Sequence, residues 1–280
     1  MGGHSHFRGL LLAAALTTSF ATAAVAAEAE GTIDCGRSGD GFEAWLDSFK
    51  REATTAGISQ RAIQASLADV YYDRSVISHD RGQKVFRQSF EQFSARMANS
   101  FRVNKGRQLL QRHAALFRQI EQRYGVPGPV LVAIWGLETD FGAFNGSFAT
   151  IRALATLAYD CRRAERFRAE LLDALRIVDR GDLSPDKMHG AWAGEIGQTQ
   201  FMPSSYLKFA VDFNGDGSRD LVHDTADVLA STANFLHGYG WKPGAGWDEG
   251  EPNFAVLLEW NKAKVYSKTI ALLADRIDGR

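Results

Sequence analysis

Apolar residues recur along most of this chain with the period of an α-helix, and no stretch alternates for long with the period of a strand. Phe42, Trp45, Leu46 and Phe49 fall at i, i+3, i+4 and i+7, which places them on one face. Gly57 closes that run, and Ser59 is placed to cap the next, which carries Ile63, Leu67 and Val70. "GRQLLQRHAALFRQIEQRYG" reads as one further helix, with Leu109, Leu116 and Ile120 on its apolar side and Gly125 as its stop. Later amphipathic runs cover roughly 163–179, 226–237 and 265–277. Such a pattern predicts a mainly α fold with at most a small β-hairpin.

A chain of 280 residues is long enough to bury a full core. Its net charge of −1 supplies no global field toward nucleic acid or an anionic membrane, so neither is expected as a partner. The first residues are read apart from the fold. A weakly basic start with His4, His6 and Arg8 precedes "LLLAAALTTSFATAAVA", and Ala24-Val25-Ala26 is an A-x-A site, so a secretory signal is expected over 1–26. A membrane anchor is the weaker reading, because the apolar part is short and rich in alanine. Cys35 lies in "TIDC", which lacks the small residues of a lipobox. Residues 27–40 read as a flexible lead-in and 41–280 as the folded domain, soluble and exported. The chain has two cysteines, Cys35 and Cys161, and an even pair in an oxidising compartment predicts one disulfide; two unrelated thiols are the alternative.

Two segments carry chemistry. "GAWAGEIGQTQFMPSSYLKFAVDFNGDGSRD" brings Gly190, Gly194 and Gly197 among Gln198, Gln200, Trp192, Phe201 and Met202, which reads as the floor of a groove and not as a solvated linker. "WGLETDFG" places Glu138 at the end of an apolar helical run that Pro127 and Pro129 suit as a first turn. Leu131, Trp135 and Glu138 share a face, and burial there raises a carboxyl pKa, which keeps a glutamic acid protonated as a general acid near neutral pH. An exposed helical glutamate is the plainer reading of a lone Glu. Asp140, about 200° further round, faces away. Glu195, in the glycine-rich floor, is the one rival acid.

"AIWGLETDFG", "ALATLAYDCRRAERF", "GEIGQTQFMPSSYLKFAVDFNGDG" and "ASTANFLHGYGW", in that order, resemble the lytic murein transglycosylases of the B type, glycoside hydrolase family 103, over about residues 42–277. The resemblance implies a lysozyme-like helical fold, peptidoglycan glycan strands as substrate, a periplasmic location and no organic cofactor. It implies that Glu138 is acid and base in one, forming 1,6-anhydro-N-acetylmuramic acid ends with no water as nucleophile. It also implies that Gln200 contacts substrate, that Arg162 and Arg163 line the groove for the carboxylates of peptide stems, and that Tyr266 stands near the acid. Two positions depart from the family pattern: Ala191 replaces a serine whose hydroxyl reaches the acid, and Phe235 replaces a groove tyrosine.

"DFNGDGSRDLVH" puts Asp212, Asn214, Asp216 and Gly217 at positions one, three, five and six of a calcium loop, with the Ser218 carbonyl at seven. His223 at position twelve is not the bidentate glutamate of an EF-hand. The resemblance implies a structural calcium held by a similar loop and closed by a later aspartate, expected to be Asp227, with Asp220 or Asp224 as alternatives. Other readings of the whole chain are a muramidase-like hydrolase that uses water and a non-catalytic wall-binding or calcium-dependent scaffold.

Overall fold

The computed structural model describes residues 38–82 and 88–280. The expected signal segment, Cys35 and most of the lead-in lie outside the described residues. Within them the chain is helical: α1 (Phe42–Thr55), α2 (Gln60–Leu67), α3 (Arg74–Gly82), α4 (Phe90–Met97), α5 (Ser100–Arg112), α6 (Ala114–Tyr124), α7 (Gly128–Thr139), α8 (Thr150–Tyr159), α9 (Ala164–Arg180), α10 (Pro203–Phe209), α11 (Thr225–Gly238), α12 (Phe254–Trp260) and α13 (Lys264–Asp278). The expected runs at 163–179, 226–237 and 265–277 are α9, α11 and α13 to within two residues. Ser59 caps α2 as expected, its hydroxyl accepting from the Ala62 amide at 3.2 Å. No described helix is long and apolar enough to cross a membrane.

Two expectations are corrected. The run read as one helix up to Gly125 breaks at His113, whose φ of −105° and ψ of 25° end α5 and begin α6. A continuous apolar stripe cannot report such a break, since both helices bury residues of the same stripe, Leu109 on one side and Ile120 on the other. The strands are not a hairpin either. β1 (Phe148–Ala149) pairs antiparallel with β2 (His189–Gly190), with α8 and α9 between them, in the register Phe148 to Gly190 and Ala149 to His189. This ladder fastens the loop after α7 to the glycine-rich floor. Gly190 is required there, because a Cβ would stand 1.9 Å from the Glu195 carbonyl oxygen.

The core is built around α7. Its residues from Gly128 to Leu137 are buried without interruption, and it packs against α5, α6, α11 and α13. A helix that is apolar all round belongs inside a larger protein, so the expected single apolar face becomes complete enclosure. The missing amide hydrogens of Pro127 and Pro129 fall at the N-cap and the first turn, where no helical bond is lost.

Candidate active site

Glu138 lies on the last turn of α7, where the enclosing side chains open onto a pocket of about 470 Å³. Three polar ties fix this helix end. The Trp135 indole donates to Gln198 Oε1 at 2.8 Å, and the Thr139 hydroxyl donates to the Gln198 carbonyl at 2.6 Å. Beyond it Asp140 turns left-handed, with φ 49°, and accepts from Arg102 Nε at 2.7 Å, facing away from the pocket as expected. Gln198 Nε2 also donates to the Val222 carbonyl at 2.9 Å, so one buried side chain joins α7, the floor and the segment before α11.

The Glu138 carboxyl is half-buried. Its Oε1 accepts from the Trp260 indole Nε1 at 2.9 Å. Tyr266 is buried beside the same carboxyl, which drives the phenol pKa further up, yet Tyr266 Oη makes no hydrogen bond of ordinary geometry. Burial pushes Glu138 up to about 7. The Trp260 and Tyr266 dipoles oppose that shift and the charge of Glu195 adds to it. The carboxyl therefore holds its proton in about half of the molecules at neutral pH and ionises readily, which suits a general acid that later acts as a base.

Glu195 lines the same pocket, and its Oε2 accepts from the Ala193 amide at 3.0 Å. Burial raises its pKa, opposed by that amide and by Arg166. Phe235 forms wall, with its ring 4.9 Å from Trp260 and 6.0 Å from Phe201, so it braces the indole that holds Glu138. Trp260 is the residue that sequence reasoning missed. It stands 122 positions from Glu138 on α12, and "LLEWNK" carries no local mark that separates it from a core tryptophan.

The other expected site residues are held by the fold in different ways. Gln200 lines the pocket, but its side chain is committed to the floor: Oε1 accepts from the Ala191 amide at 2.9 Å, and Nε2 donates to the carbonyls of Asn145 and Gly197 at 2.9 and 2.7 Å. With both amide hydrogens used, Gln200 holds the loop after α7 against the floor. Ala191 takes part through its amide, which needs no side-chain hydroxyl. Arg162 and Arg163 do not line this pocket. Both turn to Asp80, which is 1% exposed on α3, Arg162 Nε at 3.5 Å and Arg163 Nη2 in direct contact, because a buried carboxylate demands cations. Arg166, one turn into α9, is the arginine at the pocket.

The loop after α10 gathers the expected acids, and the three later aspartates differ in what they hold. Asp212 accepts from the amides of Gly215, Asp216 and Gly217 at 2.7, 3.1 and 2.8 Å, and the Ser218 amide donates to Asp216 at 2.8 Å. Asp227 is fully buried and spends one oxygen on the Phe213 amide at 2.7 Å and the other on the Asp220 amide at 2.9 Å. It therefore pins both ends of the loop. Asp220 turns to the amides of Val222 and His223. Asp224 is the later aspartate whose free oxygen meets the loop, at 2.8 Å from Asn214 Nδ2. Among the described residues no three acidic, histidine or cysteine side chains converge on one point. The donors are nevertheless all oxygen, which suits calcium, and the charges of Asp224 and Asp212 help raise the Asp227 pKa, a crowding that a cation would relieve. Cys161 is disulfide-bonded, and the expected partner Cys35 lies outside the described residues.

The model of the transglycosylase SLT domain matches residues 41–250. A curated relative, membrane-bound lytic murein transglycosylase B of Escherichia coli K12, is 43% identical over 124 residues, which is 44% of this chain and 34% of that protein. The aligned stretch thus spans about a third of the relative's length. Among solved structures, SltB3 from Pseudomonas aeruginosa in complex with NAG-NAM-pentapeptide superposes with a TM-score of 0.83 at 31% identity, covering 88% of this chain and 81% of that one. Its complex with NAG-anhNAM-pentapeptide gives 0.81 at 32%, covering 87% and 80%. The lytic transglycosylase Slt35 of Escherichia coli in complex with calcium gives 0.73 at 25%, covering 83% and 92%.

Proposed function

This chain belongs to the transglycosylase SLT-domain family, and from that premise we propose that it is a peptidoglycan lytic transglycosylase. The observation that carries the proposal is Glu138, an acid lifted to about 7 at a pocket in a fold shared with a protein solved on NAG-NAM and NAG-anhNAM peptides. Oε1 accepts from Trp260, so the transferable proton belongs on Oε2. Glu138 gives that proton to the oxygen linking N-acetylmuramic acid to N-acetylglucosamine. The C1–O bond breaks with its electron pair going to the departing oxygen, and C1 is left cationic. The muramic 6-hydroxyl then attacks C1, and its proton returns to the Glu138 carboxylate. The products are a free 4-hydroxyl and a 1,6-anhydro ring, with no water consumed, so a second carboxylate is not needed to activate one.

Substrate sits, in this reading, in the pocket onto which Glu138 opens and which Phe235, Trp260 and Tyr239 also line. Tyr266 serves as a buried neighbour of the acid and Gln200 as a brace of the floor. The site of action is the compartment that holds peptidoglycan, in keeping with the export signal read at 1–26, and the Cys161 disulfide closes on Cys35. The loop of Asp212, Asn214, Asp216 and the Ser218 carbonyl, completed by Asp224, would hold a structural calcium that ties α10 to α11. Mass analysis of digested sacculi tests the function: wild-type protein releases muramic ends one water lighter than hydrolysis leaves, and Glu138→Gln releases neither kind. Hydrated reducing ends alone would make the protein a hydrolase.

A further inference from the structure

Four large apolar side chains stand exposed among the described residues, Tyr71, Phe101, Phe144 and Tyr239, and of these Tyr239 alone lines the pocket. It follows α11 directly and is 40% exposed, so its ring has surface to give to a ligand. The ring is exposed but not loose. It packs on Phe235 at 4.7 Å between centres and on Phe209 at 5.5 Å. Gly238 makes room for this packing, since a Cβ there would stand 2.6 Å from the Phe209 ring. The Asn234 amide ties the end of α10 to α11 by donating to the Phe209 carbonyl at 2.9 Å. Lys208 reaches over the Phe209 and Tyr239 rings, at 4.7 and 5.1 Å from their centres. It has no ion-pair partner among the described residues, so its flexible stem can give way to a ligand. Nor does the Tyr239 hydroxyl hydrogen-bond to any described residue.

The same rings lead back to the acid. Phe235 is 6% exposed and stands 4.9 Å from Trp260, whose indole donates to Glu138 at 2.9 Å. Two ring spacings therefore separate Tyr239 from the indole that holds the acid. A sugar on Tyr239 is thus a neighbour of the reacting sugar and not that sugar. In a strand that alternates muramic acid with N-acetylglucosamine, both neighbours of a muramic residue are N-acetylglucosamine, whichever way the strand runs. That sugar carries no lactyl peptide. One face of it can lie flat on an aromatic ring while a hydroxyl or the acetamido group meets the phenol oxygen.

We propose that Tyr239 is the stacking platform for the N-acetylglucosamine unit next to the reacting muramic residue, and that it sets how strongly the strand is held. The inference rests on the transglycosylase reading for the identity of the strand. No bond forms or breaks at Tyr239. Its contribution is binding that is equal in the ground state and the transition state, because the sugar it holds does not react.

The test is kcat and KM on purified glycan strands, with the released ends identified by mass. Tyr239→Ala raises KM by roughly 5- to 10-fold, the scale of one stacked aromatic contact, with kcat within about twofold. Tyr239→Leu refills the space against Phe235 without an aromatic face. It raises KM likewise and decides the matter should Tyr239→Ala fail to fold. Tyr239→Phe keeps the ring and brings KM back to within about threefold of wild type. Tyr71→Ala, which removes an exposed ring outside the pocket, changes neither constant. A residue that only braced Phe235 and Trp260 would behave otherwise. Its loss would lower kcat and move the alkaline limb of the pH profile, because the Trp260 hydrogen bond opposes the rise in the Glu138 pKa. That result, or a KM within about twofold of wild type in both Tyr239→Ala and Tyr239→Leu, overturns the proposal, while anhydro ends leave the transglycosylase reading intact. Hydrated ends together with a raised KM would instead overturn that reading and keep Tyr239 as a sugar platform.

Discussion

Glu138 has its carboxyl against the Trp260 indole at the buried end of α7, and the burial that lifts its pKa to about 7 acts on the folded state as well as on the reaction. In the unfolded chain the same group titrates near its ordinary 4.5. Below that value both states hold the proton and the contribution to stability is complete. As pH rises through the folded value it is lost, since the folded protein must then bury a charge. The shift corresponds to about 3 kcal/mol at most. Glu138→Gln cannot ionise, so it is expected to be more stable than wild type at pH 8.5, with the gap closing toward pH 4.5. Urea denaturation at the two pH values checks this, and an equal gap at both would show that the carboxyl is not held against its charge. At this scale Glu138 can be singled out in "WGLETDFG", because a glutamate ending an apolar run is costly to bury. Its partners are not. Trp260 and Tyr266 arrive from distant helices, and Arg162 and Arg163 are claimed by an Asp80 whose burial only the fold creates.

The helices that position this acid follow from periodicity, prolines and caps, and their joints do not. α9, α11 and α13 each carry one apolar stripe and are legible at once, whereas α7 is apolar on every side and its enclosure by four helices needs the tertiary structure. The two-residue ladder between β1 and β2 is too short to leave a period-two signal. The joint that matters most is Gln198, an unremarkable residue between glycine and threonine, whose amide is 8% exposed. Removing it strands the Trp135 indole N–H and the Val222 carbonyl in the interior. Each buried polar group left without a partner costs about 1–3 kcal/mol. Gln198→Leu is therefore expected to lose about 2–5 kcal/mol in urea denaturation and to lower kcat as well, since the last turn of α7 is no longer fixed. The exposed Gln60→Ala should stay within about 0.5 kcal/mol. A loss below about 1 kcal/mol in Gln198→Leu would mean that the floor and α7 are held together by packing alone.

Across the described residues, the pocket floor and the acidic loop at 212–220 are one continuous stretch of chain, from β2 through α10 to α11, with Gln198 fastening one end to α7 and Asp227 fastening the other to α11. Any ligand that binds the loop only when it is folded stabilises the entire domain by mass action, by about 2.7 kcal/mol at a hundred times its Kd. For a domain of this size that corresponds to a rise in Tm of roughly 5–10 °C. Calcium is accordingly expected to raise Tm and chelator to reverse the rise. Asp216→Asn removes one charge from the loop while keeping an acceptor for the Ser218 amide, so it should lose most of the calcium response with little change in the calcium-free Tm. Asp227→Asn should behave in the opposite way. Its two carboxylate oxygens are taken up by the Phe213 and Asp220 amides, so the calcium-free Tm falls while a response to calcium persists. If Asp227→Asn abolished the response and Asp224→Asn preserved it, the closing ligand would be Asp227 after all, and the loop would have to rearrange on binding. A melting curve indifferent to calcium would leave the loop as a hydrogen-bonded turn whose acids serve only its own amides.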